Sequence, residues 1–205
     1  MLPTLATFVF LGAWCMLALL LARRAERNAV RGRALPSPWR DLAIAVAVAG
    51  LAAVVRPAPT AAACGAACIA LVVAGGADAR TGLLFDAVTR PAAGVVAVLA
   101  IALGNATSAA FGVTLLVGIF GTIVVATRGR AMGLGDVKAM YAIGAAFGPF
   151  ESLVVIVVAC ASGLVAARLR GAFSRGAEVR FGPHLAVGST FALAFGDPIV
   201  RRLGM

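Results

Sequence analysis

Residues 109–126 read AAFGVTLLVGIFGTIVVA, eighteen consecutive positions without a charged side chain. A run of that length and polarity forms a helix able to cross the hydrocarbon core of a bilayer. It lacks the apolar–polar alternation that a membrane barrel strand needs. The same texture recurs on either side. Apolar runs occupy 5–22, 42–55, 60–77, 91–105, 109–126, 137–148, 152–167 and 184–199, parted by Pro, Gly or charged residues. The expected fold is therefore all-α: a polytopic transmembrane helical bundle of about eight spans, forming one domain over 1–205.

Composition supports this. Of 205 residues, 62% are hydrophobic and 13% charged, with a mean hydropathy of +1.02. A soluble domain carries about 25% charged residues, and a chain this apolar could not hide its surface from water. Gly occurs 24 times, which suits close packing of helices in lipid.

Charge sets the orientation. Lys and Arg number 18 against 8 Asp and Glu, a formal +10. With the N-terminus outside, fifteen cations fall in cytoplasmic segments: Arg23, Arg24, Arg27, Arg31, Arg33, Arg40, Arg80, Arg90, Arg128, Arg130, Lys138, Arg168, Arg170, Arg175 and Arg180. Only Arg56, Arg201 and Arg202 fall outside, the bias expected of an inserted bundle. The first apolar run precedes its arginines, the reverse of a signal peptide, so it reads as a retained span. No basic helix or aromatic platform exists to bind nucleic acid. The basic surplus suits membrane lipid instead.

Chemistry has few carriers. Cys15, Cys64, Cys68 and Cys160 all lie within apolar runs, with no metal-ligand spacing among them. They read as small packing residues, and no metal or cofactor is expected. The acids are Glu26, Asp41, Asp78, Asp86, Asp136, Glu151, Glu178 and Asp197. Asp78 closes the run 60–77. Asp136 opens the sixth run within Gly133-Leu134-Gly135-Asp136-Val137-Lys138. The topology puts both at the cytoplasmic boundary, where an ionisable side chain is costly and usually has a task. Two carboxyls at one depth can form a dyad, one ionised and one protonated, that activates water against a peptide bond. Gly133 and Gly135 would let an extended substrate approach Asp136. Equally, Asp78 and Asp136 could simply pair with Arg80 and Lys138.

Three ordered blocks resemble the prepilin peptidase family, membrane aspartic proteases that mature type IV prepilins and pseudopilins. They are Asp78-Ala79-Arg80-Thr81-Gly82-Leu83-Leu84-Phe85-Asp86-Ala87-Val88-Thr89-Arg90-Pro91, then Gly133 to Lys138 with the small-residue stretch Ala142 to Gly148, then Arg180-Phe181-Gly182-Pro183-His184-Leu185-Ala186-Val187-Gly188. The resemblance implies a GxGD-type aspartic endopeptidase of the bacterial inner membrane with Asp78 and Asp136 as its catalytic pair. It implies supporting roles for Gly133, Gly135, Lys138, Thr81 and Asp86. The implied partner is a prepilin or pseudopilin with a basic leader ending in Gly and an apolar helix after it, cut at the cytoplasmic face. Phe85 stands where the family has Pro. Segment 23–41 holds no Cys where bifunctional members carry a zinc-binding methyltransferase domain, so the chain resembles the short form and no N-methylation is expected of it. A basic leader must approach a basic face; anionic lipid with Asp41, Asp86 and Glu178 would offset that repulsion.

His184, the single histidine, follows Pro183 at a helix start and reads as a boundary residue. Tyr141 reads as packing or interfacial, as do Trp14 and Trp39. Two other functions fit the acids: a general GxGD protease cutting within spans, and a small proton-coupled transporter or assembly scaffold.

Overall fold

The computed structural model describes residues 2–30, 39–130, 132–169 and 180–204. Among them are seven helices: α1 Leu2–Ala29, α2 Trp39–Val55, α3 Ala58–Thr81, α4 Asp86–Ala102, α5 Ala106–Thr127, α6 Leu134–Leu169 and α7 Gly182–Arg202. The described residues contain no strand. Four helices are long and apolar enough to cross a membrane: Leu5–Ala29, Ala58–Thr81, Ala106–Thr127 and Leu134–Leu169.

The bundle is built around α3, which touches α1, α2, α4, α6 and α7. Its middle is Ala, Gly, Cys and short aliphatics, buried on every side from Cys64 to Gly75. Trp14 of α1 donates its indole N–H to the Ala66 carbonyl of α3 at 2.9 Å. Cys64 donates to the Ala146 carbonyl of α6 at 3.3 Å, so Cys64 and Cys68 are packing residues. The outer faces of the other helices are apolar as well: Val54, Val98, Ile101 and Val125 are all at least 65% exposed. An apolar exterior around an apolar interior is the arrangement lipid requires.

α6 is not one rod. Gly148 has φ 65° and ψ −171° and is followed by Pro149, a conformation that only glycine takes without strain. The Ser152 hydroxyl donates to the Gly148 carbonyl. Beyond this point the chain turns back. Gly188 of α7 packs on Val155 and Ala159, and Ser162 bonds His184 Nδ1 at 3.0 Å near the start of α7. The two arms match the runs 137–148 and 152–167. The bend packs tightly on α5, where a Cβ on Gly112 would fall 2.7 Å from the Gly148 carbonyl carbon.

Segment 23–41 differs from expectation. Arg23 to Ala29 continue α1, and Trp39 already begins α2. Arg and Glu are good helix formers, and the extension is fixed by Glu26, which is fully buried against Arg80 of α3 at 2.6 Å. Arg31, Arg33, Arg170, Arg175 and Glu178 lie outside the described residues.

Candidate active site

Asp78 sits in the last turn of α3 and is 7% exposed. α3 ends at Gly82 (φ 72°), whose N–H bonds the Asp78 carbonyl at 2.8 Å. Thr81 shapes the exit. Its hydroxyl donates to the Ala77 carbonyl at 2.9 Å and accepts the Leu83 N–H at 3.2 Å. The chain then runs through Leu84 and Phe85 into α4. Phe85 has φ −76°, within the range proline imposes.

Asp136 lies in the first turn of α6, half-buried. Leu84 lies between the two carboxyl-bearing elements. A Cβ on Gly135 would stand 3.1 Å from Leu84 Cβ, and one on Gly182 would stand 2.9 Å from Leu84 Cδ1 and 2.7 Å from Asp78 Oδ2. Gly135 is therefore filled by the protein's own loop, not left open for an approaching substrate. Gly133 is the exposed, roomy glycine, its nearest neighbour 3.8 Å from the added carbon. The charge of Asp78 acts on the Asp136 carboxyl.

Arg80 and Lys138 do not make the pairs with Asp78 and Asp136 that the sequence also allowed. Arg80 is taken by Glu26, with Nε to Oε1 at 2.8 Å, and by Asp41, with Nη2 to Oδ2 at 2.8 Å. Lys138 is taken by Asp86, at 2.8 Å and 2.7 Å to its two oxygens, and Arg90 joins them at 2.7 Å. The hydrogen bond from Lys138, then the charges of Arg90 and Lys138, hold the Asp86 carboxyl below its ordinary range. Neither nearby cation pairs with Asp78 or Asp136. What Asp78 does receive comes from α7: the Gly182 N–H donates to Oδ2 at 3.0 Å, and Arg180 lends a positive charge.

Of the residues singled out by sequence, Gly135 packs on Leu84, Asp78 and Leu84 both crowd Gly182, and Thr81 holds Leu83, while Asp86 and Lys138 clamp the start of α4 to the start of α6. Asp41 and Asp86 are committed to internal cations, so neither offers a free charge to a basic leader. Leu84, Gly182 and Arg180 were within the quoted blocks but carried no separate signal. His184 faces Ser162 and Gly163 of α6. Tyr141 is exposed. Among the described residues no group of His, Cys, Asp and Glu is arranged to hold a metal.

Beside the site runs a groove of about 690 Å³ between α2, α3 and α7. Val48, Val72, Gly75, Gly76, Ala186 and Val187 line its length, and Arg40, Asp41 and Arg80 ring its mouth. Pro183, next to Gly182, forms its end.

Fold and site define a helical membrane-type protein in which, among the described residues, Arg80 and Lys138 pair with acids other than Asp78 and Asp136. A model of the type IV leader peptidase family matches residues 65–167, half the chain, and the chain belongs to that family. The prepilin leader peptidase/N-methyltransferase of Pseudomonas aeruginosa is 36% identical over 97 residues, covering 45% of this chain and 33% of the relative. Proteins of the same name from two Burkholderia pseudomallei strains, 1026b and K96243, are each 32% identical over 181 residues, covering 82% of this chain and 57% of theirs. The chain thus spans between a third and somewhat over half of the length of these relatives. No solved structure matches it.

Proposed function

We propose that this protein is an aspartic endopeptidase that removes the basic leader of a type IV prepilin or pseudopilin at the cytoplasmic face of the bacterial inner membrane. The supporting observation is that Arg80 and Lys138, the cations that could have neutralised Asp78 and Asp136, are occupied by Glu26, Asp41 and Asp86. That leaves two like-charged groups, one of which acts electrostatically on the other. Such a pair keeps one proton between them, so that one member is a base and the other an acid. The base takes a proton from water as its oxygen adds to the scissile carbonyl carbon. The acid protonates the carbonyl oxygen. Collapse of the tetrahedral diol returns a proton to the leaving amine. No cofactor is needed.

The arms of α6 on either side of Gly148 give eight helical segments. We read these as eight spans with the N-terminus outside, which puts the ends bearing Asp78 and Asp136 at the cytosol. The substrate's apolar helix would lie in the groove between α2, α3 and α7, with its leader turned past Pro183 toward the two carboxyls.

Co-expression with a prepilin tests this. Wild type should shift the substrate on a gel, with an N-terminal sequence beginning after the leader's Gly. Asp78→Asn and Asp136→Asn should each abolish the shift at normal protein level. Cleavage inside the apolar helix would indicate a general intramembrane protease instead, and processing by both variants would refute the dyad.

A further inference from the structure

Asp78 and Asp136 are chemically unequal, and the difference lies in residues just before and at the start of α7. Asp78 accepts the Gly182 N–H at Oδ2, 3.0 Å away. Arg180, two residues earlier, spans the end of α3. It donates through Nη1 to the Ala79 carbonyl, and its Nε lies 3.9 Å from where a Cβ on Gly82 would be. From there its charge acts on Asp78. Asp136 donates its own backbone N–H to the Gly133 carbonyl at 3.2 Å, and the charge acting on its carboxyl is Asp78 itself. The other charged groups around the pair are engaged in ion pairs, with Lys138 and Arg90 sharing the single acid Asp86. On α3, Arg80 is held by Glu26 of α1 and Asp41 of α2. On α6, Lys138 is held by Asp86 of α4 together with Arg90.

We propose that Arg180 and the Gly182 N–H hold Asp78 as the ionised base, so that the shared proton resides on Asp136, which serves as the acid. Arg180 is then a positioning residue that works through Asp78. The inference rests on the peptidase reading above and adds the direction of proton flow. Asp78 removes a proton from water while the water oxygen bonds the scissile carbon. The Asp136 hydroxyl gives its proton to the carbonyl oxygen. On collapse, Asp78 delivers its proton to the amide nitrogen as the C–N bond breaks. Asp136 recovers one from the diol, and both groups return to their starting states.

The test is the pH profile of prepilin processing, measured as kcat/KM over roughly pH 5 to 9 for wild type, Arg180→Gln and Arg180→Lys in lipid nanodiscs. The glutamine keeps a donor and removes the charge; the lysine keeps the charge. Arg180→Gln should move the acid limb upward by about one unit, so that activity falls about tenfold below that limb and recovers above it. Arg180→Lys should retain the wild-type limb. Superimposable profiles for wild type and Arg180→Gln would overturn the inference while leaving the peptidase reading intact. Movement of the alkaline limb instead would mean that the roles are reversed. Should neither variant accumulate, wild type still decides. Arg180 is exposed, so raising ionic strength from about 0.05 to 0.5 M should screen it and lift the acid limb; a salt-independent limb overturns the proposal. No processing by wild type at any pH would overturn both readings together.

Discussion

Replacing Gly182 by Ala places a methyl carbon 2.7 Å from Asp78 Oδ2, 3.0 Å from Asp78 Cβ and 2.9 Å from Leu84 Cδ1. Comfortable non-bonded separations begin at about 3.5 Å, so the carboxylate must retreat by roughly 0.8 Å. It cannot do so alone. Asp78 is buried, and Leu84 is backed by Gly135, where a Cβ would itself be only 3.1 Å from Leu84 Cβ. Overpacking of this kind costs about 1–3 kcal/mol of stability. The catalytic loss should be larger, because a displacement near 1 Å costs about a hundredfold in rate. The expected result for Gly182→Ala is therefore about a hundredfold slower prepilin processing in a protein that still accumulates. Gly133→Ala is the control within the same site. Its added carbon meets nothing closer than 3.8 Å, so it should process within a few-fold of wild type. Initial rates from a gel-shift time course at matched protein levels compare the two. If Gly182→Ala keeps the wild-type rate, or Gly133→Ala is equally damaged, the packing argument around Leu84 is wrong.

Three further outcomes are expected. Glu26→Gln removes one fully buried partner of Arg80 and should lower stability by about 3 kcal/mol, read as a drop in melting temperature in detergent; an unchanged melt would mean that Asp41 alone suffices. The Asp86–Lys138 pair is partly exposed, 39% and 35% at the side chains, so a double-mutant cycle with Asp86→Ala and Lys138→Ala should give a coupling of about 1 kcal/mol or less. Ala186→Trp should fill the groove between α2, α3 and α7, raising KM for prepilin with little change in kcat; an unaltered KM would place the substrate helix elsewhere.

The helices were legible because a residue's distance from charge along the chain is a local property. The apolar runs coincide with the helices of the bundle, and the division between 137–148 and 152–167 falls on Gly148-Pro149, a recognisable breaker. Asp78 and Asp136 stood out in the sequence through spacing and resemblance. What the sequence did not disclose were contacts between distant positions. Glu26 is 54 residues from Arg80, and Arg180 is 101 from Ala79; no periodicity announces such partners. The continuation of α1 through Arg23 and Glu26 looked like a polar loop because its burial depends on a cation two helices away. Gly135 looked like an opening for substrate because Leu84, the side chain that fills it, belongs to a loop with no regular pattern.

The turn at Gly148 leaves the arm Leu134–Phe147 with fourteen residues, about 21 Å of helix against a hydrocarbon core of about 30 Å. In the eight-span orientation proposed above, with its far end level with the outer leaflet, Asp136 would stand at the floor of a dimple in the inner one. The water consumed by the proposed hydrolysis would then have to descend through that depression, and neighbouring acyl chains would have to bend to make room for it.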